Sequence, residues 1–287
     1  MIAKLVPWWA KIALKLIMSR LPVNPYTFWR RLGMFRHGNM DSPNYIISNI
    51  KGLFDFAGLS ANTCLGKKMV ELGPGDSIGT AVVAASYGVQ PILVDVDHFA
   101  TKDLQVYRNL ISQLDISQPL LSDLNEVDSF QKLLSACDAE YLTNGIDSLA
   151  TIADHSVNIT ISQACLEHVR KNEFNTLVSE LYRVSGDGSI HIHEIDFKDH
   201  LSYGLNNLRF SGELWESQFM SSSGFYTNRL RYSDIKSAFL SAGFKVVKEE
   251  THSWDSLPLS KSKLHSDFHD YDESDLLIRE AKIVLRK

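Results

Sequence analysis

The stretch Met69-Val70-Glu71-Leu72-Gly73-Pro74-Gly75-Asp76-Ser77-Ile78-Gly79 decides the fold of this chain. Residues 67–72 form a short apolar run with a charged edge, and this run predicts a buried β-strand. Gly73 and Gly75 follow as a turn with almost no side-chain bulk, and Ser77 is placed to cap the helix that comes next. A strand, a glycine turn and a helix N-terminus together form a concave site where a ligand can approach the backbone.

A second predicted strand, Pro91-Ile92-Leu93-Val94-Asp95, ends in an acid. Asp95 lies twenty residues after Gly75, which is the spacing of a carboxylate that binds ribose hydroxyls. Glu71 lies two residues before the first glycine, where a negative charge disfavours a pyrophosphate and suits a cationic nucleoside without phosphates. A dinucleotide oxidoreductase is therefore disfavoured, and the absence of a third glycine at Ser77 also argues against it.

The pattern Glu71-x-Gly73-x-Gly75 resembles motif I of the class I S-adenosylmethionine-dependent methyltransferases, and Asp95 resembles their ribose-binding acid. The run Leu166-Glu167-His168-Val169 is similar to the end of the family's fourth-strand region. The sequence departs from the family at Ser77, where a glycine is usual, and at Asn158, where an aspartate is common. The resemblance covers roughly residues 65–250 and is of the methyltransferase type 11 kind.

This resemblance implies an α/β fold, a doubly wound Rossmann-like sheet of seven strands with the last strand antiparallel. We expect a methyltransferase domain over residues 63–287, with an inserted lid at about 196–232, after an N-terminal helical extension over residues 1–62. A helix over 174–184, a tight turn at 185–188 and a strand over 189–195 are expected within the domain. Residues 252–276 are polar and are expected to form a second lid or a mobile loop.

The resemblance also implies S-adenosylmethionine as the cofactor. Asn144, Gly145 and Ile146 follow the predicted third strand, in the loop that borders the adenine ring in this family. The implied cofactor-binding residues are Glu71, Gly73, Gly75, Asp95, Asn144, Gly145, Ile146 and Gln163.

Histidines near the expected mouth of the site are candidates for a general base, which a hydroxyl or ammonium acceptor would need. We rank His168, after the fourth strand, and His193, on the fifth strand, as the catalytic candidates. A hydrogen-bonded structural histidine is the alternative for each. Imidazoles and carboxylates also occur together over residues 191–200, and such a set can bind a metal ion. We predict no metal.

The predicted lid is polar and aromatic, and inserted loops over strand ends often bind substrate. Asn207, Arg209, Tyr226 and Arg229 are the predicted acceptor-binding residues, since arginines can clamp a carboxylate or phosphate. Pairing of these arginines with Glu213 and Glu216 is the alternative.

Residues 1–40 contain basic side chains and no acid, and the first acid is Asp41. Apolar residues recur at helical spacing over residues 1–20, and Trp8 and Trp9 are adjacent, which predicts an amphipathic helix. The helix either packs over the core, lies at a homodimer contact, or touches a membrane surface through residues 1–20.

Composition sets the broad class. The chain has 287 residues, 44% of them hydrophobic and 22% charged, and a formal net charge of −5, which argues against a nucleic-acid partner. Three cysteines without close spacing suggest a reducing compartment. We therefore expect a cytoplasmic enzyme, peripheral at the inner membrane face if the N-terminal helix binds lipid.

The expected activity is O-methylation of a small-molecule or glycan- or lipid-linked acceptor. The alternatives are N-methylation of a small molecule and a non-catalytic nucleoside-binding protein of the same fold.

Overall fold

The computed structural model of the protein describes residues 7–18 and 42–287. Its helices are α1 (Trp8–Met18), α2 (Pro43–Ala57), α3 (Ala61–Cys64), α4 (Gly79–Ser86), α5 (Leu104–Ile111), α6 (Gln118–Asn125), α7 (Phe130–Ala136), α8 (Phe174–Val184), α9 (Gly212–Trp215), α10 (Gln218–Ser221), α11 (Tyr232–Ala242) and α12 (Glu273–Leu277). Its strands are β1 (Lys68–Leu72), β2 (Gln90–Val94), β3 (Glu140–Leu142), β4 (Val157–Gln163), β5 (Ser185–Asp196), β6 (Lys245–Ser253) and β7 (Ile278–Arg286).

Within these residues seven strands form one sheet in the order β3-β2-β1-β4-β5-β7-β6. Strands β1 to β5 pair in parallel, whereas β7 runs antiparallel to both β5 and β6. The predicted fold class, a doubly wound α/β sheet with an antiparallel last strand, is confirmed. The chain moves outward from β1 in one direction and from β4 in the other, so the topological switch point lies between β1 and β4.

The two faces of the sheet carry separate hydrophobic cores, because successive side chains of a strand point to opposite faces. Met69, Leu93 and Ile161 pack on the face covered by α2, α4 and α5. Val70, Ile283 and Leu285 pack on the face covered by α8 and α11. Glu71 shares strand parity with Met69 and therefore points toward α2 and α4.

Helix α2 belongs to the core, although the sequence placed it in an extension that ends at residue 62. Ser42 occupies the N-cap position, Pro43 opens the helix, and Gly58 ends it in the left-handed conformation. The apolar side chains of α2 that include Ile46, Leu53 and Phe54 are buried against the sheet face. The sequence gives no sign of the partner of this apolar face.

The predicted tight turn at residues 185–188 is wrong, because these residues begin β5. Val157 pairs with Ser185 whereas Ile159 pairs with Ile190, so β5 carries extra residues opposite one residue of β4. Gly188 takes a positive φ of 73° within this irregular stretch. The glycines therefore form a bulge in the strand, a structure whose composition matches that of a turn.

The inserted segment, residues 197–231 between β5 and α11, packs against two neighbours. Helix α1 contacts it through Trp8, Ile12 and Leu16. The connection between β6 and α12 contacts it through a second apolar cluster, which includes Leu208, Leu264 and Phe268. That connection, predicted as a second lid or a mobile loop, is thus packed against the inserted segment.

Helix α1 is the described part of the predicted N-terminal amphipathic helix; residues 1–6 and 19–41 lie outside the described residues. No helix among the described residues is long and apolar enough to cross a bilayer.

Candidate functional site

A small cavity lies at the switch point, between the ends of β1 and β4 and the inner face of α2. Glu71, Thr80, Gln163 and Asn49 contribute the polar part of its lining, and Ile46, Ile50 and Leu53 the apolar part. The cavity has room for about one water molecule. Ligands of doubly wound sheets bind at such a switch point, and the structure brings Glu71 and Gln163, both predicted to bind the cofactor, to this place.

The Glu71 carboxyl is buried and only half satisfied. Its Oε1 accepts a hydrogen bond from the Thr80 hydroxyl at 3.0 Å, while Oε2 has no hydrogen-bond partner among the described residues. Burial, and to a smaller extent the charge of Asp95, raises the pKa of Glu71 to about 8. The sequence analysis treated Glu71 as an anion, but without a bound cation the carboxyl is largely protonated at neutral pH.

Asn49 on α2 is a second incompletely satisfied group at the same cavity. Its side-chain Nδ2 is buried without a hydrogen-bond partner among the described residues. The cavity therefore presents an amide donor opposite a carboxyl oxygen, an arrangement that suits a group carrying both a negative and a positive charge. Sequence reasoning missed Asn49, because nothing in the sequence shows that α2 crosses the strand ends.

The glycine turn after β1 has a backbone conformation that favours glycine. Gly73 and Gly75 take positive φ values of 68° and 67°, and a Cβ atom at Gly73 would lie 2.7 Å from the Cys165 sulfur. The Gly75 N–H donates to Asp95 Oδ2 at 3.1 Å, and the Gly73 N–H donates to the Val94 carbonyl oxygen at 2.9 Å. The structure thus places the predicted motif and the predicted ribose acid side by side.

The predicted adenine loop lies next to Asp95. The Gly145 N–H donates to the Asp95 carbonyl oxygen at 2.8 Å, and Asn144 and Ile146 flank that contact. Val96 lies beside Gly145 and is 72% exposed. An exposed apolar residue directly after the acid is well placed to pack on a flat ring, and it was not predicted. The sequence does contain a signal for this role, which is an apolar residue directly after Asp95.

The loop after β4 carries His168 and borders the glycine turn through Cys165. His168 Nδ1 lies 3.0 Å from the Tyr226 carbonyl oxygen. Because a carbonyl oxygen only accepts hydrogen bonds, the proton of a neutral ring is on Nδ1 and Nε2 carries the lone pair. That Nε2 lies 3.2 Å from His200 Nε2, which must then be the donor. The arrangement orients His168 as a base whose lone pair now faces His200.

Burial, followed by the neighbouring His168, lowers the pKa of His200 to about 3. The two rings stack at a centroid distance of 5.0 Å. His200 therefore stays neutral near pH 7.

Asn228 holds this loop in place. Its backbone N–H donates to the Glu167 carbonyl oxygen at 2.7 Å, and its side-chain amide donates to the carbonyl oxygens of Leu166 and Val169. Asn228 thereby links the inserted segment to the His168 loop. The sequence analysis did not select it, because its contacts are long-range.

The prediction that His193 lies at the mouth of the site is wrong. The ring is fully buried on the opposite sheet face, where it stacks on Phe239 of α11 at 5.1 Å. Its Nδ1 is 2.8 Å from the Ser162 hydroxyl, and burial lowers its pKa to about 3. His193 is a structural histidine, the alternative that the sequence analysis had kept open.

The predicted acceptor-binding residues are mostly inside the inserted segment. Arg229 is 5% exposed, donates to the Phe210 carbonyl oxygen at 2.6 Å, and lies between the rings of Trp215 and Phe268. The buried Asn207 donates to the Thr227 hydroxyl.

The buried Tyr226 in the same segment donates from its hydroxyl to Glu216. All three side chains are engaged inside the inserted segment in this structure, and acceptor contact by Asn207, Tyr226 and Arg229 stays a prediction. Arg209 is half-buried over the Trp8 ring, and its contact with the acceptor stays a prediction.

No group of three potential metal ligands converges among the described residues. The histidines and acids of residues 191–200 are divided between two sheet faces and the inserted segment.

Comparison with known proteins gives fold-level likenesses. No protein-family model matches the chain, and no curated protein sequence matches it. A methyltransferase of Methanosarcina mazei described as S-adenosylmethionine-dependent is similar at 13% identity and a TM-score of 0.47, over 77% of this chain and 92% of that one.

Phosphoethanolamine N-methyltransferase 2 of Haemonchus contortus, solved with S-adenosyl-L-methionine, is similar at 15% identity and a TM-score of 0.48; 84% of this chain covers 52% of that one. The cyclase SpnF is similar at 12% identity and a TM-score of 0.48, over 84% of this chain and 81% of that one. These values are too low to assign an activity, so the fold class rests on the strand order.

Proposed function

We propose that the protein is an S-adenosylmethionine-dependent methyltransferase. The observation that carries the proposal is the arrangement at the switch point: a glycine turn with left-handed backbone, a carboxylate after the next strand that bonds to this turn, and a buried carboxyl oxygen without a partner among the described residues. A sulfonium nucleoside with an amino-acid end matches these groups in charge, since it carries two cationic centres, one carboxylate and no phosphate.

Each group then has a role toward the cofactor. Asp95 accepts hydrogen bonds from the ribose hydroxyls with its remaining lone pairs, and Val96 and residues 144–146 contact the adenine ring. Glu71 and Asn49, with Gln163, bind the amino-acid end. Because the cavity holds about one water molecule, α2 must shift outward to admit that end.

The bound cofactor would supply an electrophilic methyl group to an acceptor held in line with it. We assign His168 as the general base: its Nε2 accepts the proton of an acceptor hydroxyl, while the Tyr226 carbonyl oxygen keeps the other nitrogen protonated. An acceptor hydroxyl would take the place of His200 at this nitrogen. This geometry favours O-methylation, whereas an amine acceptor that arrives unprotonated would need no base.

The acceptor class is a small molecule or a glycan- or lipid-linked group. The three cysteines are free, two of them buried, which is consistent with the expected cytoplasmic location. We also propose that the protein belongs to the methyltransferase type 11 family.

Isothermal titration calorimetry of the full-length protein tests the cofactor. S-adenosylmethionine should bind, and Asp95→Ala should weaken the binding by about 1–3 kcal/mol, the size of a lost charged hydrogen bond. Asp97→Ala is the matched control, because Asp97 lies two residues further on and is exposed.

Absence of binding by the wild type, or tight binding of NAD instead, would contradict the proposal. Binding without product formation across a broad acceptor screen would support the non-catalytic alternative.

A further inference from the structure

Helix α1 is attached to the inserted segment by the side on which its lysines lie. Lys11 Nζ donates to the Leu201 carbonyl oxygen at 2.8 Å, and Lys15 Nζ donates to that of His200 at 3.3 Å. Beside the lysines, Trp8 and Ile12 pack against the aromatic cluster of the segment. The lysine side of the helix is thus bonded to the protein over its described turns.

The opposite side of α1 is apolar and exposed. Trp9 is 62% exposed, Leu14 55% and Ile17 63%, and Ala10 and Ala13 lie between them. At 3.6 residues per turn these five residues cover an arc of about 140° that contains no charged side chain. A surface helix of a soluble protein normally turns a polar face outward, so this face, defined here as the apolar face of α1, needs an occupant.

We propose that the occupant is the surface of an anionic lipid bilayer. Residues 1–40 contain seven lysines and arginines and no acid. Two of these, Lys11 and Lys15, are bonded within the protein, and the other five lie before and after the helix in the sequence. Anionic headgroups complement this charge, and a tryptophan with aliphatic neighbours is the side-chain set that enters the interfacial layer.

Charge also decides against a second copy of the chain on this face. In a two-fold contact each α1 would meet the same sequence, in which residues 1–40 supply basic side chains and no acid. An anionic bilayer offers an apolar layer to the apolar face of α1 and negative headgroups to the basic side chains of this sequence. The eleven residues of α1 are too few to span a membrane, so the helix would lie in the plane of the interface.

Membrane contact would place the inserted segment beside the headgroups, since α1 is bonded to it. On the proposed methyltransferase function, His168 would then face acceptors carried by lipids. The lipid binding itself does not depend on that function, and its failure would leave cofactor binding untouched.

Vesicle sedimentation of the full-length protein tests the proposal. The wild type should sediment with vesicles of phosphatidylglycerol and phosphatidylcholine at low salt, less at high salt, and poorly with phosphatidylcholine alone. The triple variant Trp9→Gln/Leu14→Gln/Ile17→Gln should lose about tenfold or more in vesicle affinity, because the buried apolar area is removed.

The control is Leu65→Gln/Leu240→Gln/Val247→Gln, which removes three equally exposed apolar side chains elsewhere and should bind as the wild type does. Wild-type protein that ignores anionic vesicles at low salt would overturn the proposal, as would equal loss in both triple variants. Light scattering that shows a dimer dissociated by the helix variant would assign the face to a second copy. A lowered melting temperature of that variant would assign it to another part of the chain. Either result would overturn the lipid assignment, and calorimetry with S-adenosylmethionine on the same samples tests the proposed function separately.

Discussion

The cleft at the switch point and the inserted segment both contain buried charged residues but use them differently. In the cleft, Asp95 bonds to the backbone N–H of the glycine turn, and Glu71 leaves one carboxyl oxygen toward a cavity. In the inserted segment, Arg229 and Arg231 are buried and donate to backbone carbonyl oxygens of neighbouring loops. The first arrangement is open to a ligand, whereas the second holds loops together.

Residue type alone therefore does not identify a binding residue. Arg229 has one unmatched atom as well, since its Nε lacks a partner among the described residues, but aromatic rings cover the guanidinium on both sides. Burial lowers its pKa to about 10, so it remains charged at neutral pH. A charged group enclosed in this way carries a structural cost unless carbonyl oxygens compensate it, and the two carbonyl oxygens of residues 207 and 210 do so.

The largest expected effect separates these two regions by stability. Arg229→Met should lower the free energy of unfolding by about 3 kcal/mol, because it leaves two buried carbonyl oxygens without their donor. Arg209→Met, at a half-buried position, should cost less than about 1 kcal/mol. Urea denaturation at equilibrium measures both. If Arg229→Met folded with wild-type stability and lost only turnover, the acceptor-binding role predicted from the sequence would be supported.

Much of the fold was predictable from the sequence, since the buried parallel strands are short apolar runs between turn signals. The strand end at Leu72 and the helix over 174–184 agree with the structure, whereas β2 ends at Val94, one residue before the predicted end at Asp95. The bulge at residues 185–188 was not predictable, because Ser-Gly-Asp-Gly has the composition of a turn and only the pairing with β4 shows otherwise.

The candidate site was predictable where its residues follow one another closely in the chain. Glu71, Gly73, Gly75 and Asp95 belong to one strand–turn–helix–strand unit, whose geometry is fixed locally. Asn49 and Asn228 reach the site from elements distant in sequence, and no local pattern marks them. The prediction that His193 lies at the mouth of the site failed for a related reason. Alternation puts His191 and His193 on one sheet face, but only the packed sheet shows that α11 covers this face.

The second prediction compares the two histidines that the sequence ranked as bases. With an acceptor found by screening, His168→Gln should lower kcat by about 10²-fold, the typical contribution of a general base, with little change in cofactor affinity. His193→Gln should instead lower the melting temperature, because the buried ring stacks on Phe239 and bonds to Ser162. Product formation and thermal unfolding are measured on the same preparations. Wild-type turnover in His168→Gln at every pH tested would leave proximity as the main source of rate acceleration.

The last and smallest effect concerns the proton on Glu71. Its pKa is raised to about 8 from an ordinary value of 4.5, chiefly by burial, so the free protein holds this proton at pH 7. A cation next to Oε2 favours the ionised form, and binding of S-adenosylmethionine should release close to one proton there. Affinity should then rise with pH by up to about tenfold per unit below pH 8 and level off above it.

The Glu71→Gln variant lacks the titrating carboxyl. The ligand's own amino group titrates equally with both proteins, so a difference in proton release between them comes from Glu71. Calorimetry in buffers of different ionisation enthalpy should show about one more proton released by the wild type than by the variant. The unbound proteins provide a second reading, since between pH 4.5 and 8 the folded carboxyl keeps a proton that the unfolded one has lost. The wild type should therefore lose stability relative to Glu71→Gln as pH rises through this range. Equal proton release by both proteins would mean that Glu71 stays protonated in the complex, and the cation would then have to be recognised elsewhere in the cleft.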